Sequence, residues 1–384
     1  MLKHYCIWQL KKWLPLLGIF GGALTLVFGY TCLEAATATI ASGSGAYATY
    51  GYGPSFLAIF IPAMLLTFVM AVFVYAYRTS RQSVDTYYQA AYKSTTIKRA
   101  RTLIGLGILL ASITIAFIIG FAIYGIRYLS TPLTREVTMH GNPYTYVRID
   151  YNFGLFGVAY LLLLLFVTAE YFINCFLASL GSYVFDQICL LLFGNIFLSL
   201  CILGPALYII TVGHIQVAGA EFSLLYGFGP IGPCILSYFI SLPGFSADYE
   251  IFPHLVGTSV LTVSLGIICT IANFFIGDPT GETANVRGAR NKTIGLIPHG
   301  AALAIGLVVG CCGLLPNSTN YVLSALPWFI YGIFGIGYYG FLALWRHSFK
   351  PSKEDLICFL SVYGATLLLM IACTISWQGG AYLA

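Results

Sequence analysis

Few side chains in this sequence could carry chemistry, and Glu170 is foremost among them. It is the one acidic residue that falls well inside a long apolar run. A carboxyl at that depth is either functional or a hydrogen-bonding partner for a neighbouring helix, because an isolated charge there is costly. Asp186 falls in the turn that follows, where water can reach it. The six histidines (His4, His140, His214, His254, His299, His347) stand at run ends and in loops, never paired at i, i+4, so they offer no metal-ligand spacing. The 11 cysteines lie mostly inside apolar runs without a CxxC, and they read as small buried hydrophobes. A Gly-rich phosphate loop ending in GKS or GKT is absent, so the chain is not expected to hydrolyse ATP itself. Neither a Ser/His/Asp set nor an intramembrane carboxylate pair can be picked out. An enzyme acting on lipid would need a cluster of acids and histidines that the sequence does not offer. The expectation is a chain with no catalytic centre, metal or cofactor of its own.

The elements that hold these residues are set by composition. Charged residues make up 8% of the 384, hydrophobic residues 59%, and mean hydropathy is +0.87, against roughly a quarter charged in a soluble chain. Apolar runs of about 20 residues recur, each long enough for a ~30 Å hydrocarbon core. Alternating ten-residue segments of the barrel kind are missing. The expected fold is all-α and polytopic, with about nine transmembrane helices. Its net charge of +5 reflects loop bias at a membrane rather than a nucleic-acid partner.

Residues 1–13 carry Trp8, Trp13 and three lysines and read as an interfacial elbow helix. Spans are expected at about 14–30, 55–77, 102–128, 153–175, 187–212 and 254–276, which makes 14–276 a six-span core. The first run is longer than most signal-peptide cores and reads as a retained span. Residues 224–242 are apolar but interrupted by Gly227, Gly229, Pro230, Gly232 and Pro233, which predicts a re-entrant or broken pair of short helices. Residues 277–384 then supply a polar loop and spans 7 to 9, at about 294–315, 321–345 and 356–377. Gly306 and Gly310, and the glycines 332, 335, 337 and 340, read as sites of close helix packing. The many tyrosines and phenylalanines read as aromatic belts.

Fifteen of the 18 lysines and arginines fall at the N-terminus and in 78–101, 277–293 and 346–355. Positive-inside bias then places the N-terminus in the cytoplasm and the C-terminus outside a cell membrane. The longest polar segment on the cytoplasmic side is 83–101. There Val84, Tyr87, Tyr88, Ala91 and Tyr92 fall on one helical face. Asp85 sits in the first turn, and Lys93, Lys98, Arg99 and Arg101 gather at the far end, as a helix dipole favours. Such a helix lies on lipid or docks into a groove on a partner protein.

An N-terminal elbow, two spans, then Asp85-x-Tyr87 leading into Arg101-x-Leu103-x-Gly105-Leu106 resembles the ABC-2-type permeases, notably those of bacterial peptide-antibiotic and acetoin-operon transporters. Glu282-Thr283-Ala284 and His347-Ser348-Phe349-Lys350 add weaker matches in the same order. Gln89-Ala90-Ala91 stands where the family commonly has Ser-Leu-Pro, and Asp278-Pro279 replaces its basic pair. The resemblance implies that 83–97 is a coupling helix seated on a separate ATP-binding subunit, through Val84, Asp85, Tyr87, Tyr88 and Tyr92. Glu282, Arg287 and Arg290 would form a second cytoplasmic contact. ATP and magnesium would be bound by that partner, and a second permease subunit, identical or homologous, would complete an exporter of an amphipathic peptide or lipid-like substrate. The alternative is a carrier or channel that works without an ATPase and needs more intramembrane polarity than Glu170 alone.

Overall fold

A computed structural model describes residues 2–34, 38–41, 48–51, 56–78, 94–130, 134–139, 142–147, 153–181, 184–185, 187–192, 194–195, 252–275, 302, 321–346 and 348–381. The elements in chain order are α1 (Leu2–Glu34), β1 (Ala38–Ala41), β2 (Ala48–Gly51), α2 (Leu57–Tyr75) with a 3-10 turn at Ala76–Arg78, and α3 (Ser94–Ser130). They continue with β3 (Thr134–Met139), β4 (Asn142–Val147), α4 (Phe153–Leu180), α5 (Phe252–Phe275), α6 (Tyr321–Arg346) and α7 (Lys353–Ala381).

Four of the described helices are long and apolar enough to cross a membrane, over His4–Leu33, Leu57–Tyr75, Thr95–Ser130 and Phe156–Leu180. The protein is therefore a membrane-embedded helical protein. Large apolar side chains that face outward, such as Leu26, Leu65, Ile118, Ile126 and Leu161, form the surface that lipid covers. Helices also form where spans 6, 8 and 9 are expected.

Three local expectations change. Residues 2–13 are not a separate elbow: α1 runs unbroken through Pro15 to Glu34. Second, Ser94 to Ile97, the last residues expected in the coupling helix, are instead the first turn of α3. That helix has 37 residues, about 55 Å at 1.5 Å per residue, and so extends past the hydrocarbon. Third, an antiparallel sheet of order β2-β1-β4-β3 adds to the helical architecture. Its register pairs Ala38 with both Gly51 and Val147, and Thr134 with Val147. The segment Asn142–Val147 is rich in Tyr, Thr and Val, the residues that suit a strand.

Because β1 follows α1 and β4 precedes α4, the sheet fixes the α1–α2 and α3–α4 connections at one end of the bundle. The α2–α3 connection is then at the other end. Beneath the sheet, Phe28, Phe56, Phe117 and Phe156 are all buried together. Phe28 and Phe117 stack at 5.5 Å, and Phe56 meets Phe156 edge-on at 5.2 Å. These rings build the core where belts at the interface were expected. A second aromatic ladder joins α6 to α7, with Tyr331 stacked on Tyr363 at 4.2 Å and Phe359 against both Tyr338 and Tyr363.

The glycines divide. A β-carbon on Gly335 would meet the Tyr363 ring at 2.5 Å, which accords with close packing, whereas Gly332, Gly337 and Gly340 have nothing within 4 Å. Those three are not packing glycines for any described neighbour. Gly306 and Gly310, the re-entrant segment 224–242 and most of spans 5 and 7 lie outside the described residues.

Candidate functional site

The α2–α3 end of the bundle is closed by side chains that reach for carbonyls. A helix end leaves its last carbonyls short of i+4 partners, and those at the end of α2 are met. Ala76 N–H donates to Val72 O within the chain's own turn. Arg101 donates from Nε to Val74 O at 3.1 Å and from Nη2 to Phe73 O at 3.3 Å. Gln187 Nε2 approaches Tyr75 O at 3.5 Å. Arg101 is 4% exposed, and its guanidinium lies between two rings, 4.8 Å from Trp13 and 4.5 Å from Tyr77. Arg99, two positions earlier and so on another face of α3, donates from both Nε and Nη2 to Phe274 O, at the end of α5. Two arginines on α3 thereby cap two other helices, where the carbonyl dipoles favour a cation.

This placement corrects the reading of the basic cluster. Lys98, Arg99 and Arg101 do not end a helix that docks elsewhere; they stand in the first turns of α3. Lys98 and Arg101 are buried, and Lys98 Nζ lies 5.9 Å from the Tyr75 ring. Their partners are tertiary, which a reading of local sequence assigns to the rim of a solvated helix. Trp13, expected at headgroup level, is buried against Arg101, while Trp8 is exposed.

Gly105 explains why α3 can sit so close. A β-carbon there would lie 2.6 Å from Tyr171 Oη and 2.8 Å from Val74 Cγ2. Tyr171 passes over this gap and donates to Thr102 O at 2.8 Å. On the α5 side, Asn273 donates to Phe172 O at 3.1 Å and shares a 3.2 Å hydrogen bond with Tyr75 Oη. Helices α2, α3, α4 and α5 are thus tied by polar contacts at one level.

Further inside the bundle, Glu170 is fully buried. Its Oε1 accepts from Asn174 Nδ2 at 3.3 Å, and Asn174 Nδ2 also donates to Thr67 Oγ1 at 2.8 Å. Asn195 Nδ2 donates to Asn174 Oδ1 at 2.7 Å and to Leu191 O at 2.9 Å. The sequence singled out Glu170; it did not single out Thr67, Asn174, Asn195 or Asn273. Each is a lone polar residue in a different apolar run or far along the same one. Only Asn174, at i+4 from Glu170, carried a local signal.

The contact residues Val84, Asp85, Tyr87, Tyr88 and Tyr92, and Glu282, Arg287 and Arg290, lie outside the described residues. Among the described residues, no three His, Cys, Asp or Glu side chains converge as metal ligands. The fold and this site define the class only broadly, as a helical membrane protein with a polar interior and an arginine-capped end. Comparison with known protein families, with curated proteins and with solved structures finds no match.

Proposed function

We propose that the chain is the membrane subunit of an ATP-driven exporter of the ABC-2 type. In this reading it has nine spans, a re-entrant segment at 224–242, a cytoplasmic N-terminus and an external C-terminus in the cell membrane. Spans 1 to 6 form the transport path. A separate ATPase binds ATP and magnesium and docks on 83–93, and a second membrane subunit completes the path for an amphipathic substrate. One observation carries the reading. The segment 79–93 is bracketed by α2 and α3, and the Arg101 and Arg99 contacts lock those helix ends to each other and to α5. A push on the bracketed segment would therefore move three helices as one body, as a coupling element requires.

The test is purification of the tagged chain from its own cells, probed for an ATP-binding subunit that accompanies it, together with the variant Tyr88→Asp. The expected result is co-purification by wild type and loss of at least tenfold in recovered ATPase for the variant, since a charge is buried in the contact. Undiminished assembly and nucleotide-driven transport by Tyr88→Asp would refute the docking surface. A second reading, an ATPase-independent carrier or channel, is favoured by the polar chain of Thr67, Glu170, Asn174 and Asn195, which is richer than the lone carboxyl legible in sequence. Transport by the purified chain in vesicles without nucleotide would select it.

A further inference from the structure

We infer that Glu170, Asn174, Asn195 and Thr67 form an intramembrane binding site for one alkali metal cation. The argument is an account of donors and acceptors. Both amide hydrogens of Asn174 are committed, to Thr67 Oγ1 and Glu170 Oε1. Both of Asn195 are committed, to Asn174 Oδ1 and Leu191 O. The Thr67 hydroxyl donates to Met64 O at 2.6 Å. With Glu170 ionised, every donor in the cluster is used, and what remains is oxygen. Glu170 Oε2 and Asn195 Oδ1 are buried and have no hydrogen-bond partner.

Two orphaned acceptors in a dry interior cost several kcal/mol unless something positive meets them, by roughly 1–3 kcal/mol each and more for a charged group. No lysine or arginine among the described residues meets Glu170; its hydrogen-bond partner is Asn174. With the carboxyl ionised the complement is a cation; a proton is the competing occupant, and the titration below separates the two. A set made only of carboxylate, amide and hydroxyl oxygens selects a hard ion over zinc or copper. A single carboxylate balances a single positive charge, whereas a divalent ion would leave a net charge in the membrane. Helices α4 and α5 meet tightly beside the site: a β-carbon on Gly266 would lie 2.6 Å from Ala169 Cβ. Such close packing disfavours a bulky organic amine. The inference rests on neither reading of transport, since it concerns only the interior of the bundle.

The test uses the full chain in detergent, with thermal unfolding followed by tryptophan fluorescence. Sodium, lithium and potassium chloride are each titrated against choline chloride at constant ionic strength and pH. The expected result is a saturable rise in Tm with at least one alkali ion, about 5 °C at a hundredfold excess over its Kd. Glu170→Gln abolishes the rise, and Asn195→Leu moves its midpoint at least tenfold higher. If a variant fails to fold, the wild-type titration alone decides. A wild-type Tm that is the same in choline and in all three alkali chlorides overturns the site. So does a Glu170→Gln chain that keeps the full response, or a Tm that responds to pH and to no metal ion.

Discussion

Replacing Arg101 tests the reasoning most directly, because its surroundings set the size of the effect. The side chain donates to the Val74 carbonyl, which is buried, and to the Phe73 carbonyl, which is part-buried, and lies over the rings of Trp13 and Tyr77. Hydrogen bonds from a charged donor contribute about 1.5–3 kcal/mol each, and a desolvated cation–π contact about 1–2 kcal/mol. Water can enter at this end of the bundle once the side chain is gone, so the terms do not simply add. Arg101→Ala should cost about 3–5 kcal/mol. Arg101→Lys keeps the charge but lacks the planar fork, and should cost about half as much. At about 2 °C per kcal/mol for a chain of this length, the losses in Tm are about 6–10 °C and 3–5 °C. Unfolding of the purified chain in detergent reads both, with Arg99→Ala as a comparison: its guanidinium is exposed, and its loss should shift Tm by no more than about 2 °C. Should Arg101→Ala and Arg101→Lys melt with wild type, the capping account of this end is wrong.

The glycines supply two further tests. Gly105→Val places a side chain on Tyr171 Oη and Val74, and should cost about 1–3 kcal/mol by overpacking, whereas Gly107→Val, with nothing within 4 Å, should leave Tm unchanged. Equal effects at the two sites would remove the close approach of α3. Gly266→Ala meets Ala169 backbone at 2.7 Å and should part α4 from α5 with a clear fall in Tm; Gly337→Ala, in open space, should be neutral or slightly stabilising.

The helices were legible because a long apolar run has little alternative in a membrane. Expected spans at 55–77, 254–276, 321–345 and 356–377 fall within a few residues of α2, α5, α6 and the apolar part of α7. Glu170 was legible for the same reason, as a carboxyl has no cheap place there. What stayed hidden depends on distant partners. Asn273 meets Tyr75 across 198 positions and Arg101 meets Val74 across 27. Neither leaves a periodic trace, so Arg101 read as one more basic residue near the water. The sheet hid differently: its strands are of 4 and 6 residues, too short beside polar loops to stand out, and only the Tyr-Thr-Tyr-Val alternation of β4 gave a hint.

The sheet has a consequence for how the chain is made. β1 and β2 are neighbours in sequence, but Ala38 pairs with Val147, so the outer hairpin waits while α2 and α3 are synthesised. At about 5–20 residues per second that interval is roughly 5–20 s. During it β1 presents an open edge, the kind of edge that recruits wrong partners. Closure requires that 142–147 arrive on the same side of the membrane as 38–41. The pairing thus depends on insertion: a chain whose second or third span fails to cross leaves β1 with its inner edge unmated.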